Sequence, residues 1–172
     1  MIEIMNRVMI RGSQHNAGKS AIEPRRKFKV FIVEDEPLAL QMYEDLLMAF
    51  SPGSFQIQKF TDGDEAWSEL TKMDPDALIT DMVHPGLDGG EMLKLLSAEK
   101  VTYPILVVAG DGESSDYYKN LHPNLKLSVL ARPFKVQSFH QLLSSLLPGC
   151  DHFTPLNVTA RPLLKMAGVA LR

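Results

Sequence analysis

The sequence predicts an α/β fold built on a parallel five-stranded sheet. Short apolar runs of strand length alternate along the chain with longer segments in which apolar residues recur at helical spacing. Two of these runs, 28–33 and 77–80, end abruptly in acidic residues. Alternation of this kind is typical of sheets whose helices cross back between parallel strands, and such folds place their functional groups at the carboxyl ends of the strands.

The first two strands differ in their patterns. Residues 28–33 are mainly apolar, which predicts a buried strand, and a proline opens the helix expected over about 37–50. Residues 55–60 alternate apolar and polar side chains, as expected for an edge strand exposed on one face. The next helix is predicted over about 61–73, with Trp67 turned toward the core.

Three more strands and three more helices complete the predicted sheet. After the strand at 77–80, a helix is expected over about 89–98. Residues 104–108 are continuously apolar, which favours a central strand buried on both faces. The remaining elements are a helix over about 113–121, a strand over 127–130 and a helix over about 135–147. Right-handed crossovers then give the strand order 2-1-3-4-5 of a flavodoxin-like doubly wound sheet.

Three carboxylates are expected to meet where strands one and three part. Glu34 and Asp35 directly follow the first strand, and Asp81 follows the third. Like charges this close cannot all ionise without a compensating cation. Mg²⁺ suits the position, because it prefers oxygen ligands and keeps other coordination positions open for water or phosphate oxygens. The sequence therefore predicts a magnesium site.

Several segments together resemble the receiver domain of two-component response regulators. Val33–Pro37, Thr80–Asp81 and Arg132–Phe134 each lie at the end of a predicted strand, and His84–Gly89 is the loop after Asp81. The resemblance covers about 28–147. It implies a signalling module rather than an enzyme. Such a module takes a phosphoryl group from a sensor histidine kinase or a phosphotransfer protein and acts through protein contacts.

The resemblance also implies roles for individual residues. Asp81 matches the phosphorylated aspartate, and Glu34 and Asp35 match the metal-binding acids. Asp81 and the backbone carbonyl of Val83 would complete the ligands of the Mg²⁺ ion. Arg132 lies where the family usually has lysine. We expect its guanidinium to contact the phosphoryl group or, in the resting state, to form a salt bridge with Asp35 or Asp81.

Two positions depart from the family pattern. Ala109 stands where a Ser or Thr hydroxyl usually follows the fourth strand, and Val129 where an aromatic residue often lies on the fifth. We interpret this as an intact phosphorylation apparatus with an altered readout. A receiver-like binding module that acts without phosphorylation is the alternative. A phosphohydrolase is disfavoured because Met82 and Val83 offer no second acid beside the nucleophile. His84 is predicted to be an exposed loop side chain.

Length and composition indicate one domain with two tails. The 172 residues, 45% of them hydrophobic, are divided into an N-terminal tail over 1–26, a receiver domain over 27–148 and a C-terminal tail over 149–172. No apolar run approaches the length of a membrane span, and no signal peptide is visible. The single Cys150 excludes an internal disulfide. A cytoplasmic location is expected.

Charge is distributed unevenly between the tails and the domain. Residues 1–27 carry +4 and residues 151–172 carry +2, which leaves −9 for residues 28–150 out of a total of −3. Basic tails could bind nucleic acid, but we interpret them as solvating an acidic core, so nucleic acid is not an expected partner. A short amphipathic helix is predicted after Pro162.

Overall fold

A computed structural model describes residues 26–110 and 115–150, with Ser115 described by its backbone alone. Nearly all of both predicted tails, including the helix expected after Pro162, lies outside these residues. Within the described part of the chain, no helix is both long and apolar enough to cross a membrane.

Five parallel strands form one sheet in the order β2-β1-β3-β4-β5. The strands are β1 (Phe28–Val33), β2 (Phe55–Phe60), β3 (Ala77–Asp81), β4 (Ile105–Ala109) and β5 (Leu127–Ala131). The helices are α1 (Pro37–Phe50), α2 (Gly63–Leu70), α3 (Gly89–Ala98), α4 (Ser115–Leu121) and α5 (Val136–Leu146). This order confirms the predicted flavodoxin-like doubly wound fold, with β2 at an edge.

The register of the strands fixes which residues meet at the carboxyl edge of the sheet. Val33, the last residue of β1, pairs with Phe60 of β2 on one side and with Thr80 of β3 on the other. Asp81, the last residue of β3, pairs with Val108 of β4. The segments that follow β1 and β3 therefore leave the sheet side by side.

Alternate residues of each strand face two different layers of helices. On one face Ile32 and Ile79 pack with buried side chains of α1 and α5. On the other face Phe31 and Leu78 pack with buried side chains of α2 and α3. Full burial of a side chain of this size stabilises the fold by about 1.5–3 kcal/mol. All residues of β4 are buried, as predicted for a central strand.

Helix α2 ends earlier than the sequence predicted, at Leu70 rather than at Met73. Pro75 opposes a longer helix, because it has no amide to donate to the carbonyl of Thr71 and disfavours helical geometry in Asp74. The side chain of Met73 is exposed as a result. Trp67 packs against the core, as predicted, and is partly buried there. Helices α1 and α3 have the predicted bounds.

Candidate metal centre at the carboxyl edge of the sheet

Three acidic side chains converge where β1 and β3 end. Glu34, Asp35 and Asp81 each offer a carboxylate oxygen, and these atoms lie within 4.8 Å of one another. Glu34 is 2% exposed, the Asp81 side chain is 13% exposed, and Asp35 faces solvent. The cluster therefore has a buried side formed by Glu34 and an open side at Asp35.

One cation reaches into this cluster from the end of β5. A single guanidinium nitrogen of Arg132, Nη2, donates to Glu34 Oε2 at 2.7 Å and to Asp81 Oδ2 at 3.0 Å. The same nitrogen lies 3.3 Å from the hydroxyl oxygen of Tyr43. Asp81 is one of the two salt-bridge partners expected for Arg132. Arg132 does not pair with the other, the exposed Asp35, but with the buried Glu34.

The backbone around Arg132 is tied to β4 and to the core. Its amide donates to the carbonyl of Ala109 at 2.9 Å, and its peptide bond to Pro133 is cis. Phe134, which follows, is buried and stacks on Tyr43 with the ring centroids 6.4 Å apart. These contacts fix the point from which the Arg132 side chain extends.

Burial and charge shift the pKa values of groups at the site, among them Glu34 and Tyr43. Burial raises the pKa of Glu34 to about 7; the Arg132 guanidinium opposes this shift, and the negative charge of Asp81 adds to it. Burial also raises the pKa of the Tyr43 hydroxyl above its ordinary value, so this group stays protonated at neutral pH. The negative charge of Glu34 is therefore sustained mainly by its cationic neighbour.

The carboxylate of Asp81 is held in place through both of its oxygens. Oδ1 accepts a hydrogen bond from the backbone amide of Met82 at 2.7 Å, and Oδ2 accepts the bond from Arg132. The carbonyl oxygen of Asp81 accepts from the hydroxyl of Thr80 at 2.8 Å. Asp81 thus presents its carboxylate at the sheet edge in a defined orientation.

The donor set fits a hard divalent cation such as Mg²⁺. All the side-chain donors are carboxylate oxygens, which Mg²⁺ prefers, and the exposed Asp35 leaves an approach from solvent. Val83, two positions after Asp81, lies in a solvent-facing loop with its side chain 77% exposed. The residues present are therefore compatible with the ion that the sequence predicts.

The two positions that depart from the receiver pattern offer no polar side chain. Ala109 ends β4, is fully buried, and lies in register with Ala131 of β5. Val129 lies within β5 and is partly buried against the hydrophobic cluster that includes α2 and α3. At these positions the protein has a methyl group and a branched aliphatic side chain.

One prediction about the loop after Asp81 is wrong. His84 was expected to be exposed, but it is buried, with 7% of its surface accessible. Helix α2 covers it: a Cβ added to Gly63 would lie 2.7 Å from the His84 ring. Its Nδ1 lies 3.3 Å from the carbonyl oxygen of Pro85, and its Nε2 has no hydrogen-bond partner among the described residues. The prediction treated the loop as solvated and missed the packing of α2 against it.

The sequence interpretation also missed the contribution of Tyr43 to the site. The ring of Tyr43 is buried on the inward face of α1. A tyrosine on an inward helix face needs a polar partner for its hydroxyl, and that requirement was the available signal. The partner, Arg132, lies 89 positions away in the sequence. Local patterns do not reveal a contact of that range.

A sheet in the order β2-β1-β3-β4-β5, with an acidic cluster between the ends of β1 and β3, defines a receiver-type domain. A family model for the response regulator receiver domain matches residues 30–144. The chain belongs to this family of signalling domains, as its resemblance to receivers predicted.

Curated relatives include two transcriptional regulators. Transcription factor SKN7 of Saccharomyces cerevisiae is 27% identical over 144 residues, covering 81% of this chain and 22% of that protein. The transcriptional regulatory protein YesN of Bacillus subtilis is 30% identical over 119 residues, covering 69% of this chain and 31% of that protein. The chain thus spans less than a third of the length of either relative.

A solved structure extends the similarity to the fold as a whole. The receiver domain of a sensor histidine kinase from Pseudomonas aeruginosa PAO1 superposes with a TM-score of 0.57 at 22% sequence identity. The match covers 70% of this chain and 97% of that domain, which is described with a magnesium ion coordinated in its active site cleft. At this level of identity, the likeness establishes the shared fold.

Proposed function

We propose that this receiver accepts a phosphoryl group on Asp81 from a sensor histidine kinase or a phosphotransfer protein. In this proposal Mg²⁺ is held by the carboxylates of Glu34, Asp35 and Asp81 and by the backbone carbonyl of Val83. The observation that carries the proposal is the convergence of three carboxylates within 4.8 Å at the carboxyl edge of the sheet. The receiver domain is taken to extend over 27–148, slightly beyond the family match.

The proposed reaction moves a phosphoryl group from a histidine nitrogen to a carboxylate oxygen. An oxygen of Asp81 attacks the phosphorus, and the new P–O bond forms as the P–N bond to the donor breaks. The departing nitrogen keeps the electron pair of the broken bond and leaves as neutral imidazole, with the ring proton on its other nitrogen. Bound Mg²⁺ would supply positive charge that neutralises the transferring oxygens.

The side chains around Asp81 suit the remaining requirements of the transfer. Met82 fixes one oxygen of the nucleophile through its amide, which favours positioning, a major part of phosphoryl-transfer catalysis. Arg132 contacts the other oxygen in the structure described and, once displaced from it, carries a permanent positive charge within reach of a phosphoryl group attached there. Asp35 is exposed, so the donor can approach from its side of the cluster. The magnesium ion described in the Pseudomonas aeruginosa receiver supports the same assignment here.

A second function, binding to a protein partner without phosphorylation, is favoured by two observations. Ala109 is fully buried and has no hydroxyl with which to follow a phosphoryl group. Arg132 already forms ion pairs with both Asp81 and Glu34 in the structure described. Under this alternative, the acidic cluster and its arginine act as a structural ion-pair network.

Intact-mass measurement separates the two functions. Incubation of the full chain with Mg²⁺ and acetyl phosphate is expected to add one phosphoryl group, and EDTA should prevent the addition. Asp81→Asn should abolish uptake without unfolding the protein, because it removes the nucleophile and relieves like-charge repulsion. Asp64→Asn, which neutralises an exposed carboxylate in the first turn of α2, serves as the matched control and should still be labelled.

Two outcomes would count against phosphorylation of Asp81. Labelling that persists in Asp81→Asn would assign the acceptor to another residue. A native chain that binds Mg²⁺ but takes no phosphoryl group from acetyl phosphate or from a phosphorylated phosphotransfer protein would favour the binding module.

A further inference from the structure

We infer that Arg132 is an internal counter-cation for the acidic cluster and that Tyr43 positions it there. A divalent metal ion must then displace the guanidinium from Glu34 and Asp81 before these acids can bind the ion. This inference rests on the proposed metal site and adds that the metal ion and the guanidinium compete for the same carboxylate oxygens. It makes Arg132 and Tyr43 determinants of metal affinity.

Hydrogen bonds already engage every carboxylate oxygen of the two inner acids. Glu34 Oε1 accepts from the amide of Glu36 at 3.3 Å, and Asp81 Oδ1 accepts from the amide of Met82 at 2.7 Å. The remaining oxygens, Glu34 Oε2 and Asp81 Oδ2, accept from Arg132. The backbone amides belong to segments fixed by the strand ends. The contacts that can yield most readily to a metal ion are therefore those of the arginine side chain.

Charge makes joint occupation by the metal and the guanidinium unfavourable. Arg132 offsets part of the repulsion among the three acids in the absence of metal. A divalent ion at the same oxygens would lie next to a guanidinium that cannot lose its proton, and like charges at such distances repel strongly where solvent is partly excluded. The two cations therefore compete for the same oxygens.

Tyr43 holds the competing cation through a rigid core contact. Its side chain is 1% exposed, and its ring stacks on Phe134 and Phe139 with centroid distances of 6.4 and 6.2 Å. The hydroxyl oxygen consequently has little freedom, and it gives Arg132 Nη2 a third acceptor at 3.3 Å. Displacing the guanidinium would break this contact as well as the two ion pairs.

The test is calorimetric titration of the full chain with Mg²⁺ and no phosphodonor, at a pH well above the pKa of about 7 of Glu34, so that loss of Arg132 does not leave this acid protonated. Arg132→Gln should bind Mg²⁺ about tenfold more tightly than the native chain, because the competitor is gone. Tyr43→Phe keeps the stacked ring and removes only the hydroxyl, and it should bind about threefold more tightly. Arg132→Lys, which keeps the charge without the planar fork, should lie between the native chain and Arg132→Gln.

Thermal unfolding adds a readout that does not depend on activity. Without metal, Arg132→Gln should melt at a lower temperature than the native chain, because the carboxylates lose their counter-cation. Mg²⁺ should raise its melting temperature more than that of the native protein. Lys72→Gln is the matched control, since it removes the same charge from an ion pair with Glu69 beyond the far end of α2. It should change Mg²⁺ affinity by less than about twofold.

Each result points to a distinct conclusion. A folded Arg132→Gln protein with unchanged or weaker Mg²⁺ affinity would overturn the competition, and native affinity in Tyr43→Phe would overturn the role of the hydroxyl. If neither the native chain nor Arg132→Gln bound Mg²⁺, the proposed metal site itself would be wrong. Should Arg132→Gln fail to fold, Arg132→Lys and Tyr43→Phe decide the question.

Discussion

Asp81 is positioned by an unusually close approach between the loop that follows it and the start of α3. The amide of Gly89 donates to the carbonyl of Met82 at 3.1 Å. A Cβ added to Gly89 would lie 2.7 Å from the Asp81 carbonyl oxygen and 2.7 Å from Met82 Cα. Both atoms belong to the backbone, so a side-chain rotation cannot relieve the overlap. The position of the proposed nucleophile therefore depends on glycine at residue 89.

Gly89→Ala is expected to destabilise the fold by about 1–3 kcal/mol, because the loop must shift to admit the methyl group. Phosphoryl uptake by Asp81 should fall with it, since the oxygens that react would be displaced. Urea unfolding measures the first effect and intact mass the second. Gly110→Ala is the control, because a Cβ at this position of the same sheet edge meets none of the described residues within 4 Å. Equal losses of stability and of phosphoryl uptake in Gly89→Ala and Gly110→Ala would show that the close approach at Gly89 does not position Asp81.

At the scale of single residues, the sequence predicted which acids converge but not what holds them. Glu34, Asp35 and Asp81 could be placed together because parallel strands end at one edge and the pattern fixed their ends. The contact between Tyr43 and Arg132 depends on how α1 packs over the sheet, which no local pattern encodes. His84 was wrongly expected to be exposed because α2 covers its loop.

Among the elements, helices α1 and α5 share one face of the sheet and enclose a histidine between them. His140 of α5 is buried, with its ring centroid 5.0 Å from that of Phe50 and its Nε2 3.3 Å from the carbonyl oxygen of Leu46. Burial lowers the pKa of His140, and the contact with the Leu46 carbonyl opposes this shift. The packing of α5 on α1 therefore favours the neutral imidazole.

This packing predicts a loss of stability in mild acid. Below the ordinary histidine pKa of 6.5 the unfolded chain takes up a proton at residue 140 that the folded chain excludes, so stability falls with pH until the folded pKa is reached. Above pH 6.5 this group has no effect on stability. The slope from one such group is at most about 1.4 kcal/mol per pH unit.

Urea unfolding at several pH values, with His140→Leu for comparison, measures this contribution. The variant cannot titrate at this position, so its stability should fall less steeply than that of the native chain as the pH drops below 6.5. His122, whose pKa is also lowered by burial and by Lys94, titrates in both proteins and cancels in the comparison. Parallel stability curves would show that His140 is protonated equally in the folded and unfolded chains.

The elements themselves were largely predictable from the sequence, because their apolar periods differ. Continuous runs gave the buried strands, and alternation identified β2 as an edge strand. Ends were less predictable. The period of α2 suggested continuation to Met73, whereas the helix stops at Leu70 before the proline. Periodicity reports which face of an element is buried, while its ends depend on local backbone limits and tertiary contacts.

For the molecule as a whole, the question is how a change at Asp81 could reach the rest of the sheet. Arg132 lies at the end of β5, its amide is bonded to the carbonyl of Ala109 at the end of β4, and its side chain contacts Asp81. The resemblance to receivers implies a second connection, in which a hydroxyl after strand four follows the phosphoryl group and an aromatic residue on strand five fills the space. Ala109 and Val129 have neither group. Among the described residues, Arg132 therefore provides a side-chain link between the proposed phosphorylation site and the end of β5.

We therefore predict a weak conformational response to phosphorylation of Asp81. A hydrogen bond to a charged group contributes about 1.5–3 kcal/mol, and about 1.4 kcal/mol changes a population ratio tenfold, so the missing hydroxyl forfeits roughly a ten- to hundredfold shift. Amide chemical shifts recorded with Mg²⁺ and a beryllofluoride mimic should change mainly in the loop at 81–89 and at the end of β4. Large changes across α4 and α5, or dimerisation, would show that the domain switches by another route.

A hydroxyl introduced at residue 109 should enlarge the conformational response to phosphorylation. Only a contact that differs between two states can shift their populations, and Ala109→Thr would add such a contact at the end of β4. Because residue 109 is fully buried, added volume alone could perturb β5. Ala109→Val is the matched control, since valine has nearly the shape of threonine without the hydroxyl. A larger beryllofluoride response in Ala109→Thr than in Ala109→Val would assign the gain to the hydrogen bond, whereas equal responses would assign it to packing and refute the mechanism.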